Sequence, residues 1–233
     1  MANRENEYLE KGDYHKNLDN DWRFFPVYVA KMRLVEKTLT SLDKSRKIID
    51  LGCGEGVLVE KFKERGYDIV GLDLNYESEF VLKRGLTRTG FADNSFDTAL
   101  CLCVLEHLSF EDQEAALKEI KRILKPGGTL ILTLSNLAHF ASRFTFFFLG
   151  RLIRTSEAKR HISDRPIAEY LELLREFKFT IKKRRGLFPT FPVSSLLTYF
   201  FPSRMVGWHR ILNIFAWPNW SFLNFLVCEN EKN

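Results

Sequence analysis

The segment at positions 48–56, IIDLGCGEG, constrains the fold more than any other stretch of the chain. Its apolar first half predicts a buried β-strand, and the alternating glycines that follow predict a tight loop that leads into a helix. Glycine tolerates positive φ and lets the backbone approach a ligand closely. The first turn of a helix offers free N–H groups and a partial positive charge, which suit a carboxylate or a phosphate.

An acidic residue one strand later extends this pattern. Asp73 ends the short apolar run DIVGLD at 68–73, which predicts the next parallel strand. An acid at the end of that strand is placed to bind the two hydroxyls of a ribose. The two segments together predict a cofactor that contains a nucleoside.

Composition narrows the class of protein. A chain of 233 residues can form one α/β domain with an elaboration. The net charge of +5 permits an acidic substrate or an anionic membrane surface and does not require nucleic acid. The four cysteines lack the paired spacing of metal ligands, so we expect reduced thiols, no metal and a cytoplasmic location. The first residues, MANRENE, lack the apolar core of a signal peptide, and no run of about twenty apolar residues predicts a spanning helix.

Hydrophobic periodicity predicts an α/β fold with a Rossmann-like, doubly wound sheet of seven mostly parallel strands. The predicted strands are 47–51, 68–73, 84–88, 96–104, 129–135, 178–187 and 222–229. The predicted helices lie within 24–42 and at 56–65, 76–83, 110–124 and 166–177, the third of them abbreviated. We treat 1–233 as a single domain. Its parts are an N-terminal arm and helix (1–44), a cofactor-binding core (45–136), a cap with the final helix and strand region (137–221) and a last strand (222–233).

The spacing of the glycines separates the candidate cofactors. The dinucleotide fingerprint GxGxxG needs its third glycine one residue later than Gly56. A P-loop needs a Gly-Lys-Ser/Thr ending, which this loop lacks. A nicotinamide-dependent oxidoreductase is therefore a weak rival.

Four segments in order resemble the class I S-adenosylmethionine-dependent methyltransferases, in the broad group related to the quinone-biosynthesis enzymes. They are IIDLGCGEG (48–56), VGLDL (70–74), FADNSFDTALCLCVLEHL (91–108) and LKPGGTLILTLSN (124–136). The resemblance is strong over 45–136 and weaker over 161–186. The ending SFLNFLVCENEK (221–232) is similar to the family's antiparallel last strand.

The resemblance implies S-adenosylmethionine as cofactor, S-adenosylhomocysteine as product, and a set of cofactor contacts. Asp50 and the glycine loop would bind the methionine end, with backbone carbonyls near Cys103 beside its ammonium. Asp73 would bind the ribose, and Leu74 would lie beside the adenine. The implied cofactor residues are Asp50, Gly52, Cys53, Gly54, Gly56, Asp73, Leu74, Leu86 and Cys103.

One position departs from the family's pattern. Many relatives carry an acid near position 85 that binds the adenine amino group, whereas this chain has Gly85. Backbone groups near Leu86, together with Phe91, are the alternative adenine contacts. The departure also supports a rival function, a catalytically weak or inactive cofactor-binding module of the same fold.

Fewer sequence features indicate which residues bind the acceptor of the methyl group. His107 follows the fourth strand, where it suits either a general base or a residue that caps the loop, and the capping role is the simpler interpretation. Tyr14 and His15 in the N-terminal arm, and His139 beside the cap, are candidate acceptor contacts. We expect His139, like His161, to lie at the surface.

The Phe-rich C-terminal part allows several interpretations. Residues 140–233 hold 14 of the 21 phenylalanines, and 143–185 hold twelve Lys/Arg against five Asp/Glu. These side chains suit a pocket for a large apolar acceptor, or peripheral contact with a membrane. The interpretation we favour is that they pack as a cap on the sheet or form a dimer contact. The sequence does not define the oligomeric state.

The function predicted from these features is methyl transfer from S-adenosylmethionine to a small-molecule, saccharide or lipid-linked acceptor, with an oxygen nucleophile preferred. No Asn/Asp-Pro-Pro-aromatic motif follows the fourth strand, where Cys103-Val-Leu-Glu106 stands. That difference disfavours methylation of exocyclic amines in DNA.

Overall fold

The computed structural model describes residues 16–153 and 161–231. Its helices are α1 Phe25–Thr40, α2 Val57–Glu64, α3 Phe110–Ile123, α4 Phe140–Leu149, α5 Ile167–Glu176, α6 Pro192–Phe200 and α7 Pro202–Leu212. Its strands are β1 Lys47–Leu51, β2 Asp68–Asp73, β3 Val81–Lys83, β4 Phe96–Leu102, β5 Leu124–Ser135, β6 Phe179–Pro189 and β7 Ser221–Asn230. Short 3₁₀ turns span Leu105–His107 and Asn213–Phe215.

The seven strands form one sheet in the order β3-β2-β1-β4-β5-β7-β6. Neighbouring strands from β3 to β5 are parallel, while β7 runs antiparallel to both β5 and β6. The strand order reverses between β1 and β4, which creates a crevice at the carboxyl ends of these strands. The predicted doubly wound sheet with an antiparallel last strand is confirmed.

Successive residues of each strand point to opposite faces of the sheet, and helices cover both faces, so both sets of side chains are buried. Ile49 and Leu51 of β1 pack on one side in a cluster with α3 and α5. Ile48 packs on the other side in a cluster with α1 and α2. Asp50 shares the parity of Ile48, so its side chain lies on the face that α1 and α2 cover.

The segment between β2 and β4 differs from the prediction. Residues 76–83 form no helix, and the third strand is Val81–Lys83 rather than 84–88. This strand pairs with Gly71–Asp73 of β2. Val81 is buried, and a Cβ at Gly56 would lie 2.5 Å from its Cγ2. The strand is fixed by contact with the glycine loop, which local periodicity does not report.

Residues 125–128, with Pro126, Gly127 and Gly128, form an irregularity within β5. Phe96 pairs with Leu124, and regular pairing resumes at Thr98 with Thr129. Gly127 takes a φ of 75°, which a residue with a Cβ rarely adopts. The β5 strand then continues to Ser135 at the crevice.

Candidate active site

The glycine loop at the end of β1 has the backbone conformation that its sequence predicts. Gly52, Gly54 and Gly56 have φ values of 73°, 58° and 78°. A Cβ at Gly52 would lie 2.5 Å from Cγ2 of Val104, which follows β4. A side chain is therefore excluded at Gly52, and the three glycines leave the backbone of the loop bare at their positions.

Cys53 fills a gap inside this loop. A Cβ at Gly71 of β2 would lie 2.6 Å from the sulfur of Cys53. Burial raises the pKa of the Cys53 thiol, so the reactive thiolate is disfavoured. Cys53, Cys101, Cys103 and Cys228 are all free cysteines, in agreement with the predicted absence of disulfides.

Asp73 joins the end of β2 to the glycine loop. Its Oδ2 accepts a hydrogen bond from the backbone N–H of Gly54 at 2.8 Å. Its Oδ1 accepts from the backbone N–H of Asn75, also at 2.8 Å. These two bonds fix the carboxylate, and lone pairs on both oxygens stay available for further donors.

Asp50 is an acid in an environment that disfavours its charge. The residue is 3 % exposed, and burial raises its pKa from 3.8 to about 7. The charge of Lys31 opposes this shift, and that of Asp73 adds to it. A further cation beside Asp50 would be strongly stabilised in this low-dielectric position.

Helix α1 supplies two side chains near Asp50 that the sequence analysis did not single out. The ammonium of Lys31 lies 3.7 Å from the sulfur of Cys103 and 5.2 Å from the ring centre of Tyr28. Burial raises the pKa of Tyr28, with further contributions from Glu55, Glu36 and Asp50. The sequence signal for these two residues is the i, i+3 spacing of a tyrosine and a lysine within the predicted helix at 24–42.

Cys103 forms a sharp turn where β4 ends. Its φ is 60°, which is uncommon for a residue with a side chain. Its backbone N–H donates to the carbonyl of Thr133 at 2.9 Å, and its sulfur lies 3.2 Å from Oγ1 of Thr133. Because the next residue, Val104, lies against Gly52, this turn places Cys103 close to the glycine loop.

The part of the crevice beside Leu74, where the adenine is expected, is apolar. Leu74 is 41 % exposed, and a Cβ at Gly85 would lie 3.9 Å from its Cδ1. The side chain of Leu86 packs into the main core, with Phe91 against the same cluster. Leu86 can therefore offer a ligand its backbone more readily than its side chain.

A group of titratable side chains lies behind the 3₁₀ turn that follows β4. The rings of His107 and His161 meet edge to face at 4.7 Å. Nδ1 of His161 pairs with Oδ1 of Asp164 at 2.9 Å. Glu106 is 1 % exposed, and burial raises its pKa while His161 opposes the shift. The turn thus places His107 in ring contact with a histidine–carboxylate pair.

The predicted surface positions of His139 and His161 are wrong, since both residues are buried. His139 caps α4, because its Nδ1 accepts from the N–H of Ser142 at 3.4 Å and lies 2.9 Å from Oγ1 of Thr190. Burial lowers the pKa of His139 to about 4. These contacts occupy His139 in holding the cap, and its contact with an acceptor stays a prediction.

Two predicted acceptor contacts, Tyr14 and His15, lie outside the described residues. Among the residues that are described, no three His, Cys, Asp or Glu side chains form a group that could hold a metal ion. The predicted residues that the fold brings together at the crevice are Asp50, Gly52, Cys53, Gly54, Gly56, Asp73, Leu74 and Cys103.

Comparison with known proteins agrees with this geometry. Residues 49–132, from β1 to β5, match the family model described as a methyltransferase domain. Residues 49–132, the core of this chain, are thus similar to known methyltransferase domains. The glycine loop, Asp73 and the turn at Cys103 all lie within the matched segment.

Curated relatives of this chain include two ubiquinone biosynthesis O-methyltransferases. The protein from Idiomarina loihiensis is 34 % identical over 136 residues, which cover 51 % of this chain and 55 % of that protein. The protein from Leptothrix cholodnii is 29 % identical over 141 residues, which cover 52 % and 59 %. The chain thus spans little more than half the length of these relatives.

One solved structure shares the fold of this chain over nearly the whole length of the chain. It is the Burkholderia thailandensis 1,6-didemethyltoxoflavin-N1-methyltransferase, with 1,6-didemethyltoxoflavin and S-adenosylhomocysteine bound. The TM-score is 0.60 at 14 % identity, over 97 % of this chain and 84 % of the other. At this identity the likeness concerns the fold alone.

Proposed function

We propose that this protein binds S-adenosylmethionine at the crevice between β1, β2 and β4 and transfers its methyl group to an acceptor. When bound, the cofactor supplies an electrophilic methyl group on a sulfonium centre. The observation that carries the proposal is the buried Asp50 beside a bare glycine loop. A carboxylate there attracts a ligand with cationic groups and repels the phosphates of NAD or ATP.

The residues present fit this cofactor. Asp50, with a pKa near 7, gains its charge when an ammonium lies beside it. The carboxylate of Asp73, already held by the N–H groups of Gly54 and Asn75, is oriented to accept from the ribose hydroxyls. Leu74 and the backbone beside Gly85 give an apolar surface for the adenine. The family's acid near position 85 is replaced here by hydrophobic contact.

We propose that His107 is the general base that takes the proton from the acceptor's hydroxyl group. Methyl transfer to oxygen requires that the hydroxyl lose its proton, and a neutral imidazole takes up a proton readily near pH 7. His161 holds the ring of His107 edge to face, and Asp164 in turn fixes the orientation of His161. His107 is the proton acceptor in this scheme, and His161 and Asp164 are positioning residues.

The acceptor that we propose is a small molecule, a saccharide or a lipid-linked compound with a nucleophilic oxygen. The O-methyltransferase relatives support an oxygen nucleophile. The test is incubation of the purified protein with radiolabelled S-adenosylmethionine and a panel of phenols, sugars and sugar-lipids. Transfer of label to a hydroxyl supports the proposal. Tight cofactor binding without transfer to any acceptor class favours the rival, an inactive cofactor-binding module.

A further inference from the structure

Helix α6 has the reverse of the usual distribution of polar and apolar residues. Its two buried residues are Ser194 and Thr198. Its exposed side chains include Val193 at 72 %, Leu196 at 60 % and Phe200 at 62 %. A helix on a protein in water normally turns its apolar side inward. Because Thr198 Oγ1 lies 2.7 Å from Nε2 of the buried His209, the polar side of α6 is held against α7.

Helix α4 extends the same surface. Ser142 is its single buried residue, while Phe147, Phe148 and Leu149 are 81 %, 62 % and 70 % exposed. The ring of Phe140 lies 5.6 Å from that of Phe191, which begins α6. The expectation that the Phe-rich segments pack as a cap on the sheet is therefore wrong for the exposed side chains of these helices, while the alternative of a dimer contact stays a prediction.

The segment from α7 to β7 adds three tryptophans to this surface. Trp208, Trp217 and Trp220 are 61 %, 72 % and 42 % exposed. The ring of Trp220 lies 5.8 Å from Phe140, which joins this segment to α4. We call the exposed apolar side chains of α4, α6 and residues 208–220 the aromatic face. A continuous apolar surface of this extent on a protein marks an interaction site.

The charge of the aromatic face restricts its partner. Residues 137–153 and 186–220 contain no Asp or Glu and four arginines. Arg143 lies 4.8 Å above the ring of Trp220, and Arg204 lies 5.6 Å from the ring of Phe201. A second copy of this face would bring like charges together, whereas anionic headgroups complement them.

We propose that the aromatic face docks on an anionic lipid bilayer and lies within its headgroup region. Exposed Trp and Tyr side chains with interspersed arginines suit that boundary, where the rings meet acyl chains and the guanidinium groups meet phosphates. In the described part of the chain no helix is both long enough and apolar enough to cross a bilayer. The contact that we propose is peripheral, with the exposed rings at the level of the headgroups.

Docking on this face bears on the acceptor. Helix α7 packs against α1, which carries Tyr28 and Lys31 beside Asp50. A docked protein would hold the crevice near the bilayer, so a lipid-linked acceptor could reach it without leaving the membrane. This consequence rests on the proposed methyl transfer, but the docking itself does not.

The test is flotation of the full chain, without cofactor, on vesicles. One set contains phosphatidylcholine alone and the other also contains phosphatidylglycerol. We expect wild type to bind the anionic vesicles at least about tenfold more tightly, and the double variant Phe147→Glu/Phe200→Glu to lose about tenfold or more of that affinity. The variant Arg151→Gln/Arg204→Gln should lose the preference for anionic lipid. The matched control is Phe110→Glu, a 46 % exposed phenylalanine outside the face, which should bind as wild type.

Circular dichroism confirms that each variant is folded, and S-adenosylmethionine binding of each variant is measured separately, so failure of docking is distinguishable from failure of the cofactor site. Absence of wild-type flotation on anionic vesicles overturns the proposal. So does an equal loss in Phe110→Glu. A wild-type dimer that Phe147→Glu/Phe200→Glu dissociates, without vesicle binding, would show that a second copy covers the face instead.

Discussion

The carboxylate of Asp73 accepts a hydrogen bond from the backbone N–H of Gly54 at 2.8 Å, so the acid that ends β2 and the loop that follows β1 form one unit. The second carboxylate oxygen is held by Asn75 at the same distance. The acid is therefore oriented before any ligand arrives. A preorganised acceptor binds more tightly because less conformational freedom is lost on binding.

Replacement of Asp73 by Asn should weaken S-adenosylmethionine binding by about 10- to 100-fold, because charge-assisted hydrogen bonds to the ribose are lost. Asn keeps a carbonyl oxygen that can still accept from the loop, so the fold should persist. Calorimetric titration measures the affinity. Asp68→Asn, at the exposed start of the same strand, is the matched control and should bind as wild type. Unchanged affinity in Asp73→Asn would contradict the ribose assignment.

Asp50 should make both stability and cofactor affinity depend on pH. Its pKa is about 7 in the folded chain, against the ordinary value of 3.8 in the unfolded chain, so between these values the folded chain retains a proton that the unfolded chain has lost. The free energy of unfolding therefore falls as pH rises through this window, by up to about 4 kcal/mol. Asp50→Asn removes this loss, so we expect its ligand-free form to be more stable than wild type at pH 8, with a smaller advantage at pH 5. Thermal unfolding measures both.

The affinity for S-adenosylmethionine should change in the opposite sense. Because the ionised carboxylate binds the ammonium, wild-type affinity should rise as pH increases from 6 to 8, across the Asp50 pKa of about 7. Asp50→Asn should bind weakly and with little dependence on pH over the same interval. A wild-type affinity that is flat across this interval would contradict the role of Asp50.

Substitution of Gly52 by Ala should destabilise the protein through a steric clash as well as through backbone strain. Both Gly52→Ala and Gly66→Ala place a Cβ at positive φ, 73° and 81°, but nothing lies within 4 Å of the Cβ position at Gly66. The shared strain costs about 1 kcal/mol. At Gly52 the 2.5 Å approach to Val104 should add about 1–3 kcal/mol.

Chemical denaturation of the two glycine variants measures this difference. The double variant Gly52→Ala/Val104→Ala provides the internal control, because it removes the side chain that the new Cβ would meet. The loss in its free energy of unfolding should be smaller than the sum of the losses in Gly52→Ala and Val104→Ala. Equal losses in Gly52→Ala and Gly66→Ala would show that Val104 moves away freely.

His107→Asn should lower the rate of methyl transfer by about 10²-fold or more, in the range that general bases contribute. The affinity for S-adenosylmethionine should be unchanged, since His107 is assigned to the acceptor. His161→Asn should lower the rate less and shift its pH profile, because it acts on His107 through ring contact. An unaltered rate in His107→Asn would assign the residue to capping the loop alone.

The central strands and the glycine loop could be predicted because their signals are local. Strands β1 and β2 occur at short apolar runs that carry an acid at or next to their last residue, and the positive φ values of the loop occur at its glycines. The family resemblance ordered these pieces into one sheet. The strand at Val81–Lys83 was misplaced because it depends on contacts with β2 and with Gly56, which are distant in sequence.

The roles of α1 and the cap could not be predicted from periodicity. Lys31 and Tyr28 approach Asp50 only because α1 lies against the sheet, so their i, i+3 spacing alone does not indicate the site. The aromatic content of α4 and α6 suggested packing, whereas most of those side chains face outward. The sequence shows that a residue is apolar and favours burial, but it does not show which surface buries that residue.

Calorimetric titration of wild-type protein with S-adenosylmethionine at pH 7.5 tests the central claim most directly. Asp50, Asp73 and the glycine loop predict a 1:1 isotherm, with competition by S-adenosylhomocysteine and none by NAD or ATP. An absence of binding at millimolar S-adenosylmethionine, in protein that is folded by circular dichroism, would contradict the account.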